Sequence, residues 1–158
     1  MAYSRTSHRF LVAWRTVSYG VSGRLIDSNG TLLSGVVQLA PPAAGTGSRD
    51  PALAWNPATD EFGLITSGWT TTSALASFRR IRAADGYVWG RSDFGFSRGT
   101  FSTAIDVNTT SNNYVVAWGL HPGTMTATLD PWGNVVTSNL ATGPVSYTHL
   151  TLPTILRV

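Results

Sequence analysis

The strongest constraint on this chain is that it repeats itself. The apolar run Phe10-Leu11-Val12-Ala13-Trp14 returns 104 residues later as Tyr114-Val115-Val116-Ala117-Trp118, and a degenerate copy, Phe62-Gly63-Leu64-Ile65, lies at the halfway offset of 52. In the middle copy Thr66 holds the tryptophan position and Trp69 follows three residues later. The flanking residues share this register: Met1–Phe10, Leu53–Phe62 and Ile105–Tyr114 align without a gap. A chain with this period folds as a row of like units, each burying an apolar face on its neighbour.

Each unit reads as two hairpins. A short apolar strand leads through a polar turn of Asn, Ser, Pro, Thr and Asp into a strongly apolar strand. A second hairpin follows, turning at Asp27-Ser28-Asn29-Gly30, at Ala84-Asp85-Gly86 and at Asp130-Pro131-Trp132-Gly133-Asn134. Asn-Gly and Asp-Gly steps reach positive φ at little cost, which tight hairpins require. Between Thr124 and Leu129, Met125, Ala127 and Leu129 alternate with Thr124, Thr126 and Thr128, a strand period. No segment keeps helical apolar spacing for ten residues, and 16 Gly and 8 Pro are spread throughout. The expectation is an all-β chain with about four strands per repeat.

Four short strands in a unit of this size make the blade of a β-propeller. The phrase apolar-Ala-Trp-Asn-Pro-x-Thr-x-x-Phe, then an apolar strand ending in Trp, then Gly-Arg and a D-x-x-G-type turn, resembles repeats of large secreted bacterial propeller-like proteins. The resemblance covers residues 1 to about 140 and fails at Thr66. It implies three four-stranded antiparallel blades of an incomplete ring: blade 1 at 1–49, truncated at its N-terminus, a degenerate blade 2 at 50–100 and blade 3 at 101–144. Propellers close with about four to eight blades, so the remaining blades are expected in a longer parent chain. The alternative architecture is a tandem β-sandwich, whose units would need a period about twice as long.

Residues 145–158 stand apart. Val145–Thr154 reads VSYTHLTLPT, which resembles the conceptual translation of a transposase sequencing adapter, so this tail is expected to be non-native.

Composition narrows the functional classes. Only 12 % of residues are charged, about half the usual share, which suits an extracellular β protein. All eleven basic residues are Arg, and they are scattered, so nucleic acid is not an expected partner. The one cluster, Arg79-Arg80-Ile81-Arg82, reads as a solvated strand face. No Cys is present, no apolar run approaches the length of a bilayer span, and the first residues do not resemble a signal peptide. Membrane insertion is not expected.

No catalytic set emerges. His8, His121 and His149 are isolated, no nucleophile elbow is present, and no cofactor or metal is expected. Asp27, Asp85, Asp130 and the Asp60-Glu61 pair are explained by turns. Asp106 alone lacks a turn role, and it clusters with Asn108, Asn112 and Asn113, oxygen donors of the kind calcium uses. Glycosidases need paired carboxylates. The expected function is therefore a non-catalytic extracellular binding or scaffold module, taking a carbohydrate or a protein. The alternative is a fragment of a propeller-type glycoside hydrolase with its acid and base on missing blades. Trp14 and Trp118 are expected between blades, as core. Trp69, Trp89 and Trp132, read as turn or loop residues, are the candidate ligand-stacking platform.

Overall fold

The computed structural model describes residues 1–18, 20–41, 47–69, 74–96, 100–120 and 123–141. These form twelve strands and, among the described residues, no helix. The strands are β1 (Ala2–Ser4), β2 (Arg9–Arg15), β3 (Val21–Asp27), β4 (Val37–Ala40), β5 (Gly47–Asn56), β6 (Glu61–Trp69), β7 (Ala74–Arg82), β8 (Val88–Phe96), β9 (Thr100–Asn108), β10 (Asn113–Leu120), β11 (Gly123–Leu129) and β12 (Val135–Ala141). They pair in chain order into three four-stranded sheets, β1–β4, β5–β8 and β9–β12, antiparallel throughout. The tail at 145–158 lies outside the described residues.

The turns explain the regularity. The first hairpin of each sheet turns through a residue with positive φ: His8 at 53°, Asp60 at 50° and Asn112 at 58°, spaced by 52 residues. Asn, Asp and His are the non-glycine residues that enter this region most readily. Four residues earlier a polar side chain caps the turn. The Ser4 hydroxyl accepts from the Ser7 N–H at 2.9 Å, Asn56 Oδ1 from Ala58 at 3.0 Å and Asn108 Oδ1 from Thr110 at 3.0 Å. In the second hairpins Gly30, Gly86 and Gly133 take positive φ. Asp27 and Asp130 each accept two backbone N–H groups with one carboxylate oxygen. These short-range bonds pin each strand register, and so decide which side chains face which neighbour.

The sheets stack in chain order, with the β5–β8 sheet in the middle. One core joins Leu11, Val21, Leu25 and Leu39 of the first sheet to Phe62, Leu64 and Ile81 of the second. The other joins Ile65, Ala76 and Phe78 of the second to Tyr114, Val116, Trp118 and Leu129 of the third. Alternation along β6 sends Phe62 and Leu64 one way and Ile65 the other. Glycine at 63 lets a ring approach the sheet, since a Cβ there would lie 2.5 Å from the Tyr114 ring. Both faces of the middle sheet are thus covered, which a chain of paired-sheet sandwiches would not produce. The three sheets do not close on one another into a ring.

A polar staple repeats at both interfaces. The Ser4 hydroxyl donates to Asp60 Oδ1 at 2.5 Å, and Ser7 donates to the other carboxylate oxygen. One repeat later, Asn56 Nδ2 donates to the Asn112 carbonyl at 2.8 Å. The turn cap of one sheet therefore bonds the positive-φ residue of the next.

Two sequence expectations fail here. Trp118 is buried at 1 % exposure, but its equivalent Trp14 is 38 % exposed. The face carrying Trp14 has no described sheet against it, so the same side chain in the same register stays wet. The arginine cluster is also not one solvated face. Arg82 is exposed, whereas Arg80 is buried between the second and third sheets because an acid waits there.

Candidate functional site

The first strands of the three sheets run side by side and leave a groove of about 590 Å³ between them. Its lining falls into four sets of repeat equivalents: Met1, Leu53 and Ile105; Ala2, Ala54 and Asp106; Tyr3, Trp55 and Val107; Arg5, Pro57 and Thr109. The floor is apolar, with an exposed guanidinium at Arg5 and an exposed carboxylate at Asp106. Trp55 is fixed by its indole N–H, which donates to Asp60 Oδ1 at 2.9 Å. Asp60 is thereby held by three donors. Burial pushes its pKa up, but the bonds from Ser4, Ser7 and Trp55 outweigh that and leave it below the usual value.

Asp106, read from the sequence as lacking a turn role, sits on β9 and accepts the Val107 N–H at 2.8 Å, and Asp93 likewise sits on a strand, β8. Asn108 spends its oxygen on its own turn. Among the described residues no three His, Asp or Glu side chains gather as a metal site.

The second polar feature lies at the end of the sheets where both turns of each sheet meet, tied in the middle sheet by the Ala83 N–H donating to the Asp60 carbonyl at 3.2 Å. Glu61 and Arg80 form an ion pair at 3.0 Å with both side chains nearly inaccessible. Burial raises the pKa of Glu61, and Arg80 and the Trp89 indole oppose the rise. The Arg80 guanidinium also lies 3.9 Å over the Trp89 ring, a cation–π contact. Beside it Arg82, Tyr87 and Trp89 line a small hollow of about 120 Å³. The Arg82 guanidinium bonds Asp85 and lowers that carboxyl to about 2.

The three candidate tryptophans do not share one place. Trp89 is a strand residue, opposite Arg80 in β8, because the turn closes before it with the Arg82 N–H donating to the Tyr87 carbonyl. It is 44 % exposed. Trp132 occupies its turn and is 66 % exposed. Its neighbour Gly133 rests on Phe78, close to Arg80, and accepts the Ser92 hydroxyl at 2.6 Å. Trp89 and the turn bearing Trp132 thus adjoin the same arginine across the seam between the second and third sheets. Trp69 ends β6 at the opposite end of the sheet, and its side chain lies outside the described residues. His121, also weighed from sequence, lies outside them too.

Sequence reasoning missed the Glu61–Arg80 pair, because both residues had a sufficient surface explanation. Only the strand register, which sets Gly63 opposite Arg80 in the sheet whose face the third sheet covers, turns the two side chains toward one another. No protein-family model matches the chain, and no curated protein matches it significantly.

Proposed function

We propose that the chain is a run of three consecutive blades of a secreted bacterial β-propeller-type protein, and that it serves as a non-catalytic module binding carbohydrate at the turn end of the blades. The observation that carries this reading is the pair of exposed indoles, Trp89 and Trp132, on one seam at that end. Sugar rings stack on exposed aromatic faces, and Trp offers the largest such area at low entropic cost. Arg82, Asp85 and Tyr87 beside Trp89 offer fixed hydrogen-bonding groups, which give a sugar its orientation. The repeated staple and the repeated stacking order support the blade arrangement, in which the first strands line the groove. Further blades are its natural neighbours.

A glycan array probed with the chain tests the reading. Retention of a glycan is expected, with Trp89→Ala and Trp132→Ala each weakening it about tenfold and Trp69→Ala leaving it unchanged. No retained glycan, or equal binding by all variants, would overturn the carbohydrate reading.

A further inference from the structure

We propose that the site at the turn end selects a neutral glycan, which meets it with hydroxyl groups, over an acidic glycan bearing carboxylate or sulfate. This rests on the carbohydrate reading above and names the class of sugar. The charges already present at the seam decide it. Arg80 cannot serve a ligand as a cation. It is paired with Glu61 at 3.0 Å, both side chains are nearly inaccessible, and its guanidinium lies over the Trp89 ring. Asp130 spends its carboxylate on its own turn, accepting the Trp132 and Asn134 N–H groups and the Asn134 side-chain amide. The charged groups open to a ligand beside Trp89 are Arg82 and Asp85, whose side chains are 53 % and 48 % exposed.

This pair presents a donor beside an acceptor. Arg82 Nε donates to Asp85 Oδ1 at 2.9 Å and Nη2 donates to Oδ2 at 2.5 Å, which leaves the Nη1 hydrogens for a ligand. Asp85 Oδ1 also takes the Tyr87 N–H at 3.0 Å, so Oδ2 is the oxygen with acceptor capacity to spare. A guanidinium accepts nothing and an ionised carboxylate donates nothing. A hydroxyl does both, so neighbouring hydroxyls on one sugar ring satisfy Arg82 and Asp85 together. A carboxylate or sulfate only accepts. It would answer Arg82, which already has its counter-ion, and would set its own charge against Asp85 Oδ2. Arg9 of the first sheet, which also acts on Asp85, is shared with Asp60. The indoles of Trp89 and Trp132 add to the selection. A neutral ring stacks on them with no charge to take out of water, whereas an ionised one must desolvate its charge.

The test is an array of neutral and acidic glycans probed with the chain at about 0.1 M and about 1 M NaCl, where screening lengths differ about threefold. Neutral glycans should be retained equally at both. Arg82→Gln should weaken that retention about tenfold. Asp85→Asn removes the counter-ion of Arg82, so it should add acidic glycans to those retained, at the lower salt alone. Arg91→Gln breaks a comparable exposed pair, with Asp93 on the face turned to the first sheet, and should change nothing. A preference of the unaltered chain for acidic glycans that fades with salt would overturn the proposal. So would neutral binding indifferent to Arg82→Gln, or an Asp85→Asn variant that gains no acidic glycan. Acidic glycans held through Trp89 and Trp132 would keep the carbohydrate reading and reject only the neutral class, whereas retention of no glycan at all would remove both.

Discussion

Trp14 and Trp118 occupy one position of one repeat, close the same kind of apolar strand and carry the same side chain, yet one is half-wet and the other dry. Local sequence is the same in kind, so the difference comes from the neighbour. Trp118 stacks on Phe94 at 5.1 Å between ring centres and packs among residues of the middle sheet. Trp14 projects from a face that the first sheet shares with no other described sheet. In a linear array the fate of a residue is set by its place in the row as much as by its place in the repeat.

Truncating these two residues is the sharpest way to break the comparison. Trp118→Ala should cost ~3–5 kcal/mol, by lost burial and an unfilled cavity. Trp14→Ala should cost less than ~1 kcal/mol. Urea denaturation of both variants measures the gap, and equal losses would remove the distinction between the faces.

The ion pairs extend it. Arg80→Met leaves Glu61 charged and buried, so a loss of ~3–5 kcal/mol is expected. Arg82→Met breaks the exposed pair with Asp85, which solvent screens, and should cost far less. Thermal melts of the two variants would show whether the seam between the second and third sheets is as dry as described.

A smaller effect separates Gly63 from its repeat equivalent Val115. Gly63→Ala places a methyl against the rings of Tyr114 and Phe78 and should cost ~1–3 kcal/mol. Val115→Ala, on the open face, should stay within ~0.5 kcal/mol. Melting temperatures suffice to check the order.

The smallest expected difference is in acid. Asp60 has a lowered pKa in the folded chain, so its contribution is present above the ordinary aspartate range and is lost as pH falls through the lowered value. The interface between the first and second sheets should therefore weaken in acid through Asp60. The equivalent staple, Asn56 to the Asn112 carbonyl, holds no titrating group. Burial raises Glu61, so proton uptake by that group favours the folded chain as pH falls. Hydrogen exchange followed from about pH 5 to about pH 3 should show β1 and β2 losing protection before β9 and β10, with Asp60→Asn flattening the difference.

Much of this was legible in the sequence. Period, hairpins and turn residues all depend on contacts a few residues apart, and Asp27, Gly86 and Asp130 announced their turns by composition alone. The strand alternation at Met125, Ala127 and Leu129 likewise follows from local pattern. The depth of a charged side chain did not. Arg79, Arg80 and Arg82 look alike in sequence, and only the register against β6 and the arrival of the third sheet decide that Arg80 is the one enclosed. Trp89, expected in a turn or loop, lies on β8 instead, and the positive φ of Gly90, 62°, belongs to an irregular strand pairing rather than to the hairpin turn. The groove was hidden because its lining is sparse within each repeat and converges only when three first strands meet.

The most direct test of the account is fluorine NMR of the fluorotryptophan-labelled chain, with the resonances of Trp14 and Trp118 assigned by single replacement with Phe. The Trp14 signal should shift between H₂O and D₂O, and the Trp118 signal should not. A shielded Trp14, or a Trp118 that reports solvent, would contradict a row of three sheets with one interface position left open.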